Sequence, residues 1–220
     1  MNECKKILRK LKNENWKVRS EAVDQIGSIS SPEQAVELIS IVENEKWFVL
    51  ESVAGGLSLI TDRSVLKAID ESLKNHRWFI PQGVRALLKA GYYPDVSAVA
   101  GALSDSDPVI RRYAADALGL IGDIRAVSFL TDCVEDNDSG VRTRIILALG
   151  KLSESETKPS GAVLNALSDE SSDVRKTAAF VIGKMNLKEV PEELTRLLDD
   201  KNKYVRRSAS DAVERISVRK

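Results

Sequence analysis

The 220-residue chain has one histidine and two cysteines, aromatic residues make up only 5% of it, and its 33 basic residues are matched by 33 acidic ones. Each shortage excludes something. A lone histidine, His76, cannot supply the convergent imidazoles of a histidine-based metal centre. It is also the only histidine available to a Ser-His-Asp or Cys-His device, and no nucleophile motif stands beside it. Cys4 and Cys133 are isolated from each other, with neither a disulfide framework nor a zinc-ligand spacing, and they read as reduced core thiols of a cytoplasmic protein. A formal net charge of zero supplies no field to draw nucleic acid or an anionic membrane. No apolar run approaches the roughly 20 residues that span a bilayer. The basic start of the chain has no apolar stretch behind it, as a signal peptide would. No glycine-rich phosphate loop is present either: Gly55-Gly56 lies inside a helical pattern, and Lys151 lacks the upstream Walker spacing. The sequence therefore assigns no catalytic residue, no metal ligand and no cofactor.

What the chain does have is repetition. Seven apolar anchors, Val18, Val49, Ile80, Ile110, Val141, Val174 and Val205, follow one another at steps of 31, 31, 30, 31, 33 and 31 residues. Five positions before each anchor stands an Asn or Asp: Asn13, Asn44, Asn75, Asp105, Asp136, Asp169 and Asp200. Eight positions after each stands an aliphatic residue, from Ile26 to Val213. The anchor, +4, +8 and +11 positions share one helical face. Asn15, Asp107, Asp138, Ser171 and Asn202 sit where an N-cap belongs, and Pro108 at a first helical position. A second helix follows each of the first six anchored helices, at about 32–43, 63–74, 95–104, 125–135, 160–168 and 190–199. No segment alternates with period two, so no strand is expected. One helix pair cannot bury its own apolar face, whereas stacked pairs build a continuous core.

The strings Asp107-Pro108-Val109-Ile110-Arg111-Arg112-Tyr113-Ala114-Ala115-Asp116-Ala117-Leu118-Gly119 and Val174-Arg175-Lys176-Thr177-Ala178-Ala179-Phe180-Val181-Ile182-Gly183 resemble HEAT repeats, in particular the short variant named after phycobilisome lyase subunits. The resemblance covers essentially the whole chain. It implies an all-α fold, a right-handed α-α superhelix of about seven two-helix repeats over residues 1–220. A cap helix is expected at about 2–12 and another at about 204–217. It further implies an inter-repeat ladder in which Arg19, Arg111, Arg142, Arg175 and Arg206 join Asp105, Asp136, Asp169 and Asp200. Deoxyhypusine hydroxylase, a di-iron enzyme of this kind, draws its ligands from several His-Glu pairs, which a chain with one histidine does not have. The resemblance leaves three functions open. The first is a non-catalytic scaffold that binds a partner protein or peptide, the chain itself being a monomer or weak homodimer. The others are a bilin lyase or isomerase subunit and a HEAT-like DNA-repair glycosylase. Zero net charge argues against the last of these.

Repeats 2 and 3 break the pattern, and sites tend to lie where a sequence departs from its own rule. Leu50 and Pro81 replace the ladder arginine, and Lys46 and Arg77 replace the N-cap. Trp16, Trp47 and Trp78, all the tryptophans of the protein, occupy one equivalent position in repeats 1–3, followed in repeats 2 and 3 by Phe48 and Phe79. Packed between repeats, they would replace the ladder by apolar contacts. Exposed, they would anchor a partner, together with Tyr92 and Tyr93. Pro81 lacks an N–H and pushes Ile80 from the α region. The third anchored helix is therefore expected to start a turn late, with Trp78-Phe79-Ile80 extended.

Overall fold

A computed structural model of the chain describes residues 2–42 and 44–218, and among these it contains fourteen α-helices, four short 3-10 segments and no strand. The chain is an all-α repeat protein of the solenoid class. No described helix is long and apolar enough to cross a membrane. The helices gather into two compact units, Met1–Ser104 and Asp105–Lys220.

In the first unit, α1 (Glu3–Leu11) is the expected cap, its own N-terminus closed by the Asn2 side chain, which accepts the Cys4 N–H. The anchored helices are α2 (Trp16–Gly27), α4 (Trp47–Leu57) and α6 (Ile80–Lys89); α3 (Pro32–Ile41), α5 (Arg63–Ser72) and α7 (Val96–Ala100) are their partners. Like packs on like: α2 on α4, α4 on α6 and α3 on α5. Gly56 makes the first contact possible, since a Cβ there would lie 2.5 Å from Ile26 Cβ and 2.8 Å from the Val23 carbonyl. Cys4 is fully buried. Burial first, and then the Glu37 carboxylate, push its thiol up to about 11, which leaves it unreactive.

In the second unit the anchored helices α8 (Pro108–Ile121), α10 (Ser139–Leu152), α12 (Ser172–Lys184) and α14 (Lys203–Val218) pack in series. Their partners α9 (Ala126–Asp132), α11 (Gly161–Asn165) and α13 (Glu192–Arg196) are short. The expected second helices at 160–168 and 190–199 end in 3-10 turns, Ala166–Ser168 and Leu197–Asp199. The expected stripe is buried where neighbours flank it: Val141, Ile145 and Leu149 in α10, and Val174, Ala178, Ile182 and Met185 in repeat 6. In α14, the last described helix, Val213 is only half-buried. Cys133 is half-buried too, so it is not the core residue its isolation suggested.

Repeat 3 departs from the expected geometry. Arg77–Phe79 forms a 3-10 turn where Trp78-Phe79-Ile80 was expected to be extended, and α6 follows at Ile80 with Pro81 in its first turn. Proline costs nothing there because that amide has no intrahelical acceptor. A 3-10 turn advances about 120° per residue instead of 100°, so the buried face rotates. Phe79, Ile80, Gly83, Val84 and Leu87 face the core, while Leu88, the expected +8 residue, is only partly buried.

Candidate functional site

The ladder occupies the loop side of the second unit, and its inner members have two tasks. Asp105, Asp136, Asp169 and Asp200 accept the backbone N–H of the residue two ahead, at 2.9, 2.8, 2.7 and 2.8 Å, folding the turn that enters the helix. Three of them also receive a fork of two hydrogen bonds from the arginine of the preceding repeat. Arg111 reaches Asp136 at 2.7 and 2.8 Å, Arg142 reaches Asp169 at 2.8 and 2.8 Å, and Arg175 reaches Asp200 at 2.7 and 2.9 Å. Each arginine spends Nη1 on carbonyls of its own loop, as Arg175 does on Asp169 and Glu170 at 2.8 and 3.0 Å. Arg19, on Asn13 and Glu14, and Arg206, on Asp200 and Lys201, make that backward contact. The caps follow the sequence reading at Asn15, Asp107, Asp138 and Asn202, while Ser171 makes no side-chain cap bond.

These bonds set the acid response. The Arg175 hydrogen bond holds Asp200 below the usual carboxylate range. At Asp136 and Asp169 burial works against ionisation, but the bonds from Arg111 and Arg142 and from backbone amides outweigh it, and both carboxyls titrate low. Their stabilisation is therefore complete above the unfolded carboxylate pKa, near 3.9, and is lost as pH falls through the folded values. Asp70 in α5 behaves oppositely. Buried, it accepts the Asp95 N–H at 3.2 Å and a bond from Tyr92, yet burial dominates and raises its pKa. Its ionised form opposes folding at neutral pH, and acid relieves that cost. All three tryptophans lie in the first unit. On going from pH 7 to pH 3, the urea midpoint read by far-ultraviolet circular dichroism is expected to fall further than the midpoint read by tryptophan fluorescence. Equal falls would contradict this assignment.

The aromatic residues of repeats 1–3 divide into two groups. Trp16 and Trp47, the first residues of α2 and α4, are 65% and 74% exposed, and Phe48 is 39% exposed. Trp47 and Phe48 meet edge to face at 6.4 Å. Tyr93 is exposed. Trp78 is half-buried, tilted against Phe79 at 5.5 Å, with His76 edge-on at 6.3 Å. Its Nε1–H is buried without an acceptor, and Gln82 Oε1 is likewise buried without a donor. Phe79 is fully buried, so it belongs to the core and no partner can touch it. Tyr92 is half-buried and held by Asp70, so it braces the start of α7 and does not widen an aromatic patch. The sequence signal for this division was the proline two residues after Phe79, which changes the turn.

Sequence reading passed over a second aromatic pair. Phe180 in α12 and Tyr204 in α14 are 44% and 61% exposed. Phe180 stands in a column that is polar in three sister repeats, at Asp24, Asp116 and Asp211, whereas Tyr204 shares its column with Phe48 and Phe79. Among the described residues no three His, Cys, Asp or Glu side chains gather where they could hold a metal ion.

The profile of the HEAT repeats matches residues 96–160 and 161–219. The bilin biosynthesis protein MpeU of Synechococcus sp. (strain WH8020) is 37% identical over 97 residues, which is 43% of this chain and 32% of that protein. The chain thus spans about a third of that relative's length. Among solved structures it is similar to YibA of Escherichia coli, with a TM-score of 0.52 at 14% identity over 99% of this chain and 93% of the other. It is also similar to a designed armadillo repeat protein in complex with the peptide (KR)4, with a TM-score of 0.50 at 16% identity over 98% of this chain and all of the other. At such identities the two structures speak for the fold alone.

Proposed function

The chain belongs to the HEAT-repeat family, and from that premise we propose that it is a non-catalytic, cytoplasmic scaffold that binds a partner protein or peptide through aromatic side chains of its first unit. The observation that carries this reading is the exposure of Trp47 at a helix start, with Phe48 beside it and Trp16 in the same place one repeat earlier. Large aromatic side chains left in water are the usual anchors of interfaces. A buried free thiol at Cys4 suits the reducing cytoplasm.

Trp16→Ala and Trp47→Ala are each expected to change folding stability by no more than about 0.5 kcal/mol, because both rings are exposed. Each should nevertheless weaken partner binding by about 2 kcal/mol, or roughly 30-fold. Affinity capture with the wild-type chain and with the double variant measures this. A partner lost by the variant supports the site, and identical recovered sets would remove it.

A second reading, a role in bilin biosynthesis as a lyase or isomerase subunit, is favoured by the 37% identity to MpeU. Incubating the chain with a bilin and an acceptor phycobiliprotein would test it. A covalent bilin adduct formed only in its presence would replace the scaffold reading with an enzymatic one.

A further inference from the structure

We propose that the face shared by α12 and α14 is a second docking surface, which takes an acidic peptide carrying an aromatic or bulky aliphatic side chain. It lies wholly within the second unit and is independent of the tryptophans. Phe180 and Tyr204 form two walls of a cleft of about 320 Å³, completed by Lys176, Thr177, Arg207, Ser208 and Asp211. The two helices beneath it are fixed to each other. Ser208 Oγ donates to the Lys176 carbonyl at 3.0 Å, and a Cβ on Gly183 would lie 2.8 Å from Ala212 Cα, so their backbones run in close contact. The cleft is thus shaped before any ligand arrives, which lowers the ordering cost of binding.

Its charge selects the occupant. Lys184 Nζ sits 5.7 Å from the centre of the Phe180 ring and Lys203 Nζ 5.1 Å from that of Tyr204, so each aromatic wall carries a cation on its face. Arg207 adds a third, while Lys176 is spent on Asp173 at 2.6 Å. Against these three cations stands one carboxylate in the cleft, Asp211. A neighbouring cleft shares Lys176 and Thr177, but its Arg112 and Arg144 are already paired with Asp138 and Asp116, so the charge that selects the occupant is that of the aromatic slot itself. An apolar slot ringed by cations fits an apolar side chain flanked by carboxylates.

The probe is a short fluorescein-labelled peptide of glutamate flanking one phenylalanine, titrated by anisotropy into the full chain at low salt. Saturable binding is expected, weakened about tenfold or more by Phe180→Ala with Tyr204→Ala and by Arg207→Glu. Trp47→Ala should leave it unchanged, which separates this surface from the one proposed above. These side chains are exposed, and circular dichroism of each variant checks that the fold is retained. The proposal is overturned if the variants bind like wild type, if a lysine-phenylalanine peptide binds equally well, or if single-stranded DNA binds the face in preference to the peptide.

Discussion

Arg175→Ala is expected to cost about 3–5 kcal/mol of stability, the range for breaking a buried ion pair from one side. The Arg175 and Asp200 side chains are each only 7% exposed. Truncation would leave Asp200 charged and buried, keeping only its bond to the Asn202 amide. It would also strip the Asp169 and Glu170 carbonyls of their shared donor. Because a repeat contacts only its neighbours, the damage should stay local. Hydrogen exchange is expected to accelerate first in α12 and α14, with the thermal midpoint down by roughly 6–20 °C. Arg175→Lys should recover only part of the loss, since an ammonium cannot form the two-pronged contact. The double replacement Arg175→Met with Asp200→Leu should recover more, because it removes the stranded charge. If Arg175→Ala unfolds at the wild-type midpoint, the ladder is a surface decoration and its burial here is misleading.

Phe79→Ala should cost a comparable amount, about 3–5 kcal/mol. Phe79 is fully buried, and its ring lies so close to Gly83 that a Cβ there would meet it at 3.3 Å. Removing the ring opens a cavity that the tightly packed start of α6 cannot close. Phe48→Ala, in the same column one repeat earlier, should cost less than about 1 kcal/mol because its ring is partly in water. Chemical denaturation of the two variants side by side tests the rotation of repeat 3 directly. Equal losses would mean that the 3-10 turn does not set the face.

Much of this was legible in the chain. The Asn/Asp column carries its own physics, since a short side chain that bonds the amide two residues on makes the same turn wherever it falls. The ladder arginines were named by the family resemblance. That Arg111, Arg142 and Arg175 reach forward to the next repeat's aspartate, as well as backward to their own carbonyls, depends on helices brought side by side. Tyr92 misled because its hydroxyl, not its ring, is the functional part, and Asp70 is distant in sequence. Phe180 went unseen because a single aromatic in a largely polar column carries no period, and Tyr204 because three non-aromatic repeats separate it from Phe79 in its own column.

The sequence by itself determined the all-α class, the thirty-one-residue repeat and the loss of the ladder in repeats 2 and 3, because these depend on local bonding and on helical period. Only the tertiary structure decided which aromatic side chains meet water. Trp47 and Phe48 enter a regular helix and stay outside, whereas Phe79 enters through a 3-10 turn and is carried inward. A difference of about 20° per residue in one turn separates a candidate docking residue from a core residue, and no column of letters records that angle.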